Sequence, residues 1–510
     1  MAYDINELRK EIDAVDLDLL DCIERRMAIS RKIGVSKREL GKDILDSSRE
    51  KSKISALLAN AGFESKEYVE EIYKTIFEVS RAHQNKPCFG LLGRTLGHSY
   101  SPQIHSLLTN EYSYTIIERE PEELDALFAS RVYGGFNVTI PYKKEAFARC
   151  DVCDEAASET GSVNTVVFGK DGKTYGYNTD YYGFMFMLRS AGIDPSGKKV
   201  LVLGTGGAAC AVTYGLRTMN AGDIKSCDLE TEINYSNVYD ICKDSEIIVN
   251  CTPVGMYPKV DNCVIDLDRF PALEAVCDVI YNPSRTKLIQ EAQKRGLKTC
   301  GGLAMLVAQA YKSSRFFAGD IEGAGRIDSK AEEAIGRVVG ILESRMKNIT
   351  IIGMPGCGKS LLARMLAQRT GRELVDLDQA YAEKIGETPA DTIMTQGEDQ
   401  FRLNETEVAK EYLVKSGLII SSGGGIVTQE RNDFWLRCNS NIIYLDRPLE
   451  MLASKNRPLS AAKGVEVLYE QRKDRYEALG DIRISLDRFE SKDDFFEAAL
   501  DIMRQGGLDV

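Results

Sequence analysis

The segment ITIIGMPGCGKSLLARML, which begins at Ile349, constrains this chain more than any other stretch. An apolar run, a glycine-rich turn and a helical pattern, in that order, are what a buried strand, a phosphate loop and a helix require. Gly353, Gly356 and Gly358 let backbone N–H groups wrap phosphate oxygens. Lys359 supplies a point charge, and the hydroxyl of Ser360 suits Mg2+. ATP and Mg2+ are expected here. A phosphate-binding domain that opens at Ile349 leaves about two-thirds of a 510-residue chain ahead of it, and that front portion needs its own account.

Domains of ~100–200 residues predict about three for this length. The formal charge of -12 argues against a nucleic-acid partner or a polybasic membrane surface. The first residues, MAYDINELRKEIDAVD, read as a charged helix and not as an export signal, and no apolar run approaches the ~20 residues of a membrane span. A cytoplasmic protein is expected. The 13 cysteines follow no framework spacing, which suggests reduced thiols. One CxxC occurs, Cys150 to Cys153, with no second pair or nearby histidine to complete a zinc site. His83, His98 and His105 are the only histidines, so chemistry built on histidine is nearly excluded by inventory.

Texture divides the chain in three: 1–85, 86–346 and 347–510. In the first segment Leu8, Ile12, Val15, Leu19, Ile23 and Met27 recur at helical spacing, and YVEEIYKTIFEVSRAHQ continues it. Asn85-Lys86-Pro87 breaks the pattern. From Cys88 short apolar runs alternate with glycines and helical stretches, as in an α/β chain. VLVLGTGGAA, near Val200, starts a second α/β unit, and SKAEEAIGRVVGILESRMKN reads as an amphipathic helix leading into Ile349. The fold class expected is therefore an all-α N-terminal domain, a two-lobed α/β region with a Rossmann-like nucleotide lobe, and an α/β P-loop domain.

After the phosphate loop come Asp376-Leu377-Asp378, GEDQFRLNE, SSGGGIV, NRPLS and EQRKDRY. Singly, each has a bland explanation: a helix cap, a solvated arginine, a flexible loop. Together their order resembles the shikimate kinases over 347–510. The resemblance implies that Asp378 binds substrate hydroxyls and that Arg402 and Arg472 hold the substrate carboxylate. Gly424 and Gly425 would admit the ring, Asp376 would join Ser360 at magnesium, and Arg457 would close over the transferring phosphoryl group. Arg475 departs from the pattern, standing where an apolar residue is expected.

Four stretches of the middle segment, GLLGRTLGHSYSPQIH, GGFNVTIPYKK, SVNTVVF with GYNTDYYGF, and VLVLGTGGAACAV, resemble the shikimate dehydrogenases across roughly 88–346. That implies a substrate lobe at about 88–190, a nucleotide lobe at about 191–320 and a closing helix. On this resemblance Ser99, Ser101 and Thr139 bind the substrate carboxylate, and Asn164, Asp180 and Gln309 hold ring hydroxyls. Lys143 and Asp180 form the catalytic pair, and Tyr281 lies near the nicotinamide or the substrate. Without its surroundings, Lys143-Lys144 would read as a solvated basic turn. Gly204, Gly206, Gly207 and Ala208 would approach the dinucleotide pyrophosphate. The family places Asn-Arg-Thr after the second strand of this lobe, with the arginine at the 2′-phosphate of NADP. Here Cys227-Asp228-Leu229 stands there. An acidic residue at that place suits a ribose 2′-hydroxyl, so the cofactor is expected to be NADP or NAD, with NAD made credible by Asp228. The stretch from Asp228 to NCTPVGM is also short.

At the front, Arg26 and Lys37 return to nearly one helix face, while Arg9 points ~80–100° away. LRKEIDAVD, ERRM, DSSRE and SxxxQ resemble the all-helical chorismate mutases over 1–85. The resemblance implies a site lined by Arg9, Arg26, Lys37, Asp46, Arg49, Glu50, Ser80 and Gln84, with Arg26 and Lys37 catalytic. It also implies two intertwined chains, Arg9 serving the partner's site. Arg25 leaves a one-residue ambiguity.

The expectation is a multifunctional enzyme of aromatic amino-acid biosynthesis acting on 3-dehydroshikimate, shikimate and chorismate, and a homodimer through its helices. Rival readings are a helical segment that serves mainly for dimerisation and ligand sensing, a nucleotide lobe kept only as scaffold, and a kinase for another acceptor such as gluconate.

Overall fold

A computed structural model describes residues 4–62, 66–97, 99–321, 326–452, 464–485, 489 and 491–508. The chain divides into two compact units, Met1–Tyr182 with Gln309–Ala331, and Gly183–Ala308 with Glu332–Val510.

In the first unit three helices, α1 (Ile5–Glu39), α2 (Ser47–Asn60) and α3 (Lys66–Asn85), precede the sheet. Asp4 and Asp46 cap α1 and α2 by accepting from the N–H groups of Asn6 and Arg49. The apolar stripe of α1 does not face a core: Val15 is 61% and Ile12 59% exposed. Pro87 ends the helical pattern, and β1 (Cys88–Gly93) begins a six-stranded sheet with β2 (Ser113–Glu118), β3 (Gly135–Val138), β4 (Val152–Cys153), β5 (Thr165–Phe168) and β6 (Thr174–Tyr177). Its order is β2-β1-β3-β5-β6-β4. Strand β1 runs parallel to β3, β5 runs against β3, and β6 runs against β5. The carboxyl ends of β1, β3 and β6 and the amino end of β5 therefore share one edge. A core of Leu92, Ile117, Phe136, Val138 and Val166 lies against this sheet.

The second unit holds two parallel sheets. The first orders β7 (Lys199–Leu203), β8 (Asp223–Cys227), β9 (Ile247–Asn250), β10 (Ala275–Asp278) and β11 (Lys298–Cys300) as β11-β10-β9-β7-β8. Strands buried on both faces read as continuous apolar runs, as KVLVL and IIVN do. The order reverses between β7 and β9, and ligands of such sheets bind outside the strand ends at that point. The β8–β9 crossover contains a helix of only four residues, Val238–Ile241, so the lobe is indeed short there. Helix Ser329–Met346 runs into the second sheet, β12 (Asn348–Ile352), β13 (Leu374–Asp376), β14 (Ile419–Ser421), β15 (Ser440–Asp446) and β16 (Ile482–Ser485), ordered β13-β14-β12-β15-β16.

Candidate active sites

Topology gathers the residues of the first α/β site at the shared edge of the six-stranded sheet. Ser99 follows β1, Thr139 follows β3, Asn164 precedes β5, and Asp180 lies three residues beyond β6. Ser101 opens the helix Ser101–Leu108, and its N–H donates to Ser99 Oγ at 3.2 Å. Lys143 starts the helix Lys143–Phe147 and donates from Nζ to Asp180 Oδ2 at 2.6 Å. Asn164 Nδ2 donates to Asp180 Oδ1 at 2.7 Å, so the carboxylate is held from two sides. Thr179 joins Asn164 to Gln309, accepting at Oγ1 from Asn164 Nδ2 at 3.0 Å and donating to Gln309 Oε1 at 3.5 Å. Ser313 and Asn137 extend this network, with Asn137 Nδ2 donating to Ser313 Oγ at 2.8 Å. Thr179, Ser313 and Asn137 went unnoticed in the sequence, because only the strand pairing places them beside Asn164. The lysine–carboxylate pair, on a fixed edge and only partly buried, can deliver a proton to an oxygen presented there.

In the nucleotide lobe Gly204 follows β7 with φ 100°. A Cβ on it would lie 3.3 Å from Thr252 Cγ2, at the reversal between β7 and β9. Gly206 caps the helix that begins at Gly207 and Ala208, leaving N–H groups at its start for a pyrophosphate. Asp228 turns back onto the glycine loop, accepting from Thr205 N at 2.9 Å and Thr205 Oγ1 at 2.6 Å. Those hydrogen bonds hold its carboxyl below the usual range. Among the described residues no lysine or arginine pairs with Asp228. The loop fits a dinucleotide, and this corner fits a ribose hydroxyl better than a second phosphate. Tyr281 stands just past β10, on the same strand-end side.

The P-loop region forms a cleft of about 530 Å³. Gly353, Gly356 and Gly358 have φ of 147°, 90° and 107°, in the region that favours glycine. Lys359 Nζ rests on the carbonyls of Gly353 and Met354 at 3.0 and 3.1 Å. Ser360 Oγ donates to Asp376 Oδ2 at 3.0 Å, an oxygen pair suited to Mg2+. Asp376 also caps the helix Leu377–Ile385, which puts Asp378 in its first turn. Across the cleft Arg402 Nη1 donates to Glu405 Oε2 at 2.7 Å, and Arg472 Nη1 to the carbonyl of Gly424 at 3.2 Å. A Cβ on Gly425 would fall 2.1 Å from Arg402 Nη2, and one on Gly423 2.9 Å from Asp378 Oδ1, so the triple glycine is a close-approach surface. Buried Arg402 Nε, Arg472 Nε and Glu405 Oε1 lack protein partners, as a polar ligand site would leave them. Burial, opposed by Arg402, holds the Glu405 carboxyl above its ordinary range. Glu405 was missed in the sequence, although its place three residues after Arg402 on a helix was a usable signal. Arg475 donates to the Val427 carbonyl at 2.9 Å and pairs with Asp433, a packing role away from the cleft lining. Arg457 lies outside the described residues.

The helical segment holds a cleft of about 370 Å³ lined by Arg26, Lys37, Asp46, Arg49, Glu50, Ser80 and Gln84. Arg26 donates to Ser80 Oγ, Lys37 to the Ile44 carbonyl at 2.6 Å, and Gln84 Nε2 to Ser30 Oγ at 3.0 Å. Arg9 is exposed on α1 and does not line this cleft; of the two neighbouring arginines, Arg26 lines it and Arg25 pairs with Asp21. Arg81, bound to both oxygens of Glu50 at 2.6 Å, and Lys53 were not foreseen. With them, five cations face two carboxylates, a surplus suited to a dianion. Among the described residues no three metal-binding side chains cluster, Cys150 and Cys153 included.

Three stretches of the chain match known families. Family models match at 8–85 (chorismate mutase type II), 91–166 (shikimate dehydrogenase substrate binding domain) and 355–503 (shikimate kinase). A shikimate dehydrogenase (NADP(+)) of Clostridium beijerinckii is 37% identical over 246 residues, 45% of this chain and 91% of its own length. One of Methanosarcina mazei is 33% identical over 261 residues, 46% of this chain and 93% of its own. A solved chorismate mutase/shikimate 5-dehydrogenase fusion protein from Clostridium acetobutylicum aligns over 51% of this chain and 97% of that one, at 34% identity and a TM-score of 0.47. Through its middle region the chain belongs to the shikimate dehydrogenase family, joined to a chorismate mutase type II region before it and a shikimate kinase region after it.

Proposed function

We propose that three reactions of aromatic biosynthesis run on this chain, in regions bounded at 1–85, 86–346 and 347–510. The middle region reduces 3-dehydroshikimate to shikimate, the last phosphorylates shikimate with ATP, and the first rearranges chorismate to prephenate. The observation that carries the reading is the Lys143–Asp180–Asn164 constellation at one sheet edge. When bound, the nicotinamide cofactor supplies the hydride. Lys143 protonates the developing alkoxide and regains its proton from water, while Asp180, oriented by Asn164, holds the ammonium in place and accepts from the neighbouring hydroxyl. Ser99, Ser101 and Thr139 fix the substrate carboxylate, and Gln309 a ring hydroxyl.

In the kinase, Arg402 and Arg472 hold the shikimate carboxylate, Asp378 orients the attacking hydroxyl, and Lys359 neutralises the phosphates. Ser360 and Asp376 would hold a magnesium ion, which would neutralise charge on the phosphoryl oxygens. In the helical cleft no covalent step is needed. Arg26 and Lys37 stabilise charge at the breaking ether while the remaining cations hold chorismate compact. The exposed stripe of α1 supports a homodimer, in which Arg9 serves the second copy's cleft. Among the described residues no helix is long and apolar enough to cross a membrane. A cytoplasmic location accords with these substrates and cofactors.

The test is a single incubation of the full chain with 3-dehydroshikimate, reduced cofactor, ATP and Mg2+, and a second with chorismate. Shikimate 3-phosphate and prephenate are the expected products. Phosphorylation of gluconate but not shikimate would overturn the kinase assignment, and a kinase-active chain that leaves 3-dehydroshikimate untouched would reduce the middle region to a scaffold.

A further inference from the structure

The loop between β10 and the helix Lys287–Lys294 carries Tyr281 and has two sets of anchors. The inner set belongs to its own lobe. Buried Asp278 accepts from Asn250 Nδ2 and Ile280 N at 3.1 Å and from Thr286 Oγ1 at 2.7 Å. The Gly302 N–H adds a bond to the Ile280 carbonyl at 3.0 Å, and the Tyr257 N–H one to the Asn282 carbonyl at 3.1 Å. These fix both feet of the loop.

The outer set comes from the kinase region of the same compact unit. Ser284 N donates to Asn439 Oδ1 at 3.1 Å and Ser284 Oγ to the Cys438 carbonyl at 3.3 Å. Arg285 N reaches the same carbonyl at 3.0 Å. The Arg285 guanidinium extends to the Ser440 carbonyl at 3.4 Å and lies 3.7 Å from Asp481 Oδ2, and Gln290 Nε2 donates to the Phe434 carbonyl at 3.1 Å. The acceptors are built for donors from outside. Cys438 ends the helix Asp433–Cys438, where a carbonyl has no helical N–H to bind. Asn439 is 1% exposed and uses its Nδ2 on Lys415 and Ser416 inside the kinase, which turns its Oδ1 outward onto Ser284.

We propose that this kinase corner is a positioning element for the dehydrogenase: it holds Ser284 and Arg285, and through them the Tyr281 loop, in the conformation that receives the nicotinamide cofactor. The proposal rests on the dehydrogenase reading and on Tyr281 facing the cofactor. It goes further by making a functional part of one enzyme depend on contacts from another. Ser284 and Arg285 touch no reacting atom, so they act on binding. The loop's feet stay pinned without them, which makes the expected defect one of loop order and not of folding.

The experiment uses the full chain with Ser284→Ala/Arg285→Ala, the conservative Arg285→Lys, and Tyr281→Ala as reference. Cofactor KM and kcat for shikimate oxidation, kinase kcat/KM and amide exchange across 280–286 are measured. The double variant is expected to raise cofactor KM about 3- to 10-fold with kcat and kinase kcat/KM within about twofold, and to speed exchange at 284–285, with Arg285→Lys intermediate. Unchanged cofactor KM and unchanged exchange in a folded double variant would overturn the proposal. Faster exchange with unchanged KM would overturn its functional half. If Tyr281→Ala itself leaves cofactor KM and kcat intact, the fault lies in the assignment of Tyr281. If the wild-type chain does not oxidise shikimate, the dehydrogenase reading has failed, and the exchange measurement still decides whether the kinase corner orders the loop.

Discussion

Asp228 offers a quantitative handle on cofactor choice. Its carboxylate is locked to the glycine loop by two bonds from Thr205 and stays ionised at neutral pH, because those bonds hold its carboxyl below the usual range. A 2′-phosphate brings nearly two negative charges to this corner. At ~4 Å, each unit pair costs about 1 kcal/mol at the dielectric constant of water and about 4 kcal/mol at an effective value of 20. Asp228 is half-exposed, so the lower figure applies. Two charges then disfavour NADP by about 2 kcal/mol, roughly 30-fold in kcat/KM. Asp228→Asn keeps an oxygen for Thr205 and removes the charge. Initial rates of shikimate oxidation with each cofactor are expected to show NAD preference in the wild type. In Asp228→Asn the kcat/KM for NADP should rise about 30-fold, shrinking somewhat as salt is added. A wild-type preference for NADP, the cofactor in the names of the curated relatives, would refute the argument. So would an unchanged NADP-to-NAD ratio in the variant. Either result would mean that another residue reads the 2′-position.

Gly425→Ala should raise the kinase KM for shikimate more than about tenfold while leaving the KM for ATP near wild type, since the three atoms nearest the new Cβ all belong to the Arg402 guanidinium; steady-state kinetics with each substrate varied decide it. Val15→Glu with Ile12→Glu should convert a dimer to a monomer in sedimentation and abolish mutase activity while sparing the kinase; an unchanged sedimentation coefficient would refute the role given to α1. Burial pushes the Asp278 carboxyl up to about 7, above the ~3.9 of an unfolded chain. Its stabilising contribution is therefore present at low pH and lost as pH rises through about 7. Asp278→Asn should flatten that decline in thermal unfolding between about pH 5 and about pH 8, and parallel slopes in the two proteins would count against it.

Local chemistry made much of this protein readable from its sequence. The P-loop was legible because strand, glycine turn and lysine are contiguous, and the structure puts Gly353, Gly356 and Gly358 in positive-φ conformations. The helical segment was legible in its periodicity, and the change at Pro87 in proline's missing donor. Asp376 and Ser360, sixteen positions apart, needed a motif to be connected, yet they do meet at 3.0 Å. The α1 stripe shows the limit of such reading: its spacing identifies a helix with one apolar face but not what covers that face, and in this chain the face stays exposed.

The kind of each element, and the motifs that lie within one turn or one loop, follow from the sequence alone, because dihedral preference and side-chain period act between near neighbours. Which distant residues meet depends on the three-dimensional fold. The bond of Thr179 to Asn164, the grip of Arg81 on Glu50, and the hold of Cys438 and Asn439 on Ser284 join positions 15, 31 and more than 150 residues apart. Strand order and helix packing set those meetings, and a buried polar atom takes whichever partner the fold brings within reach.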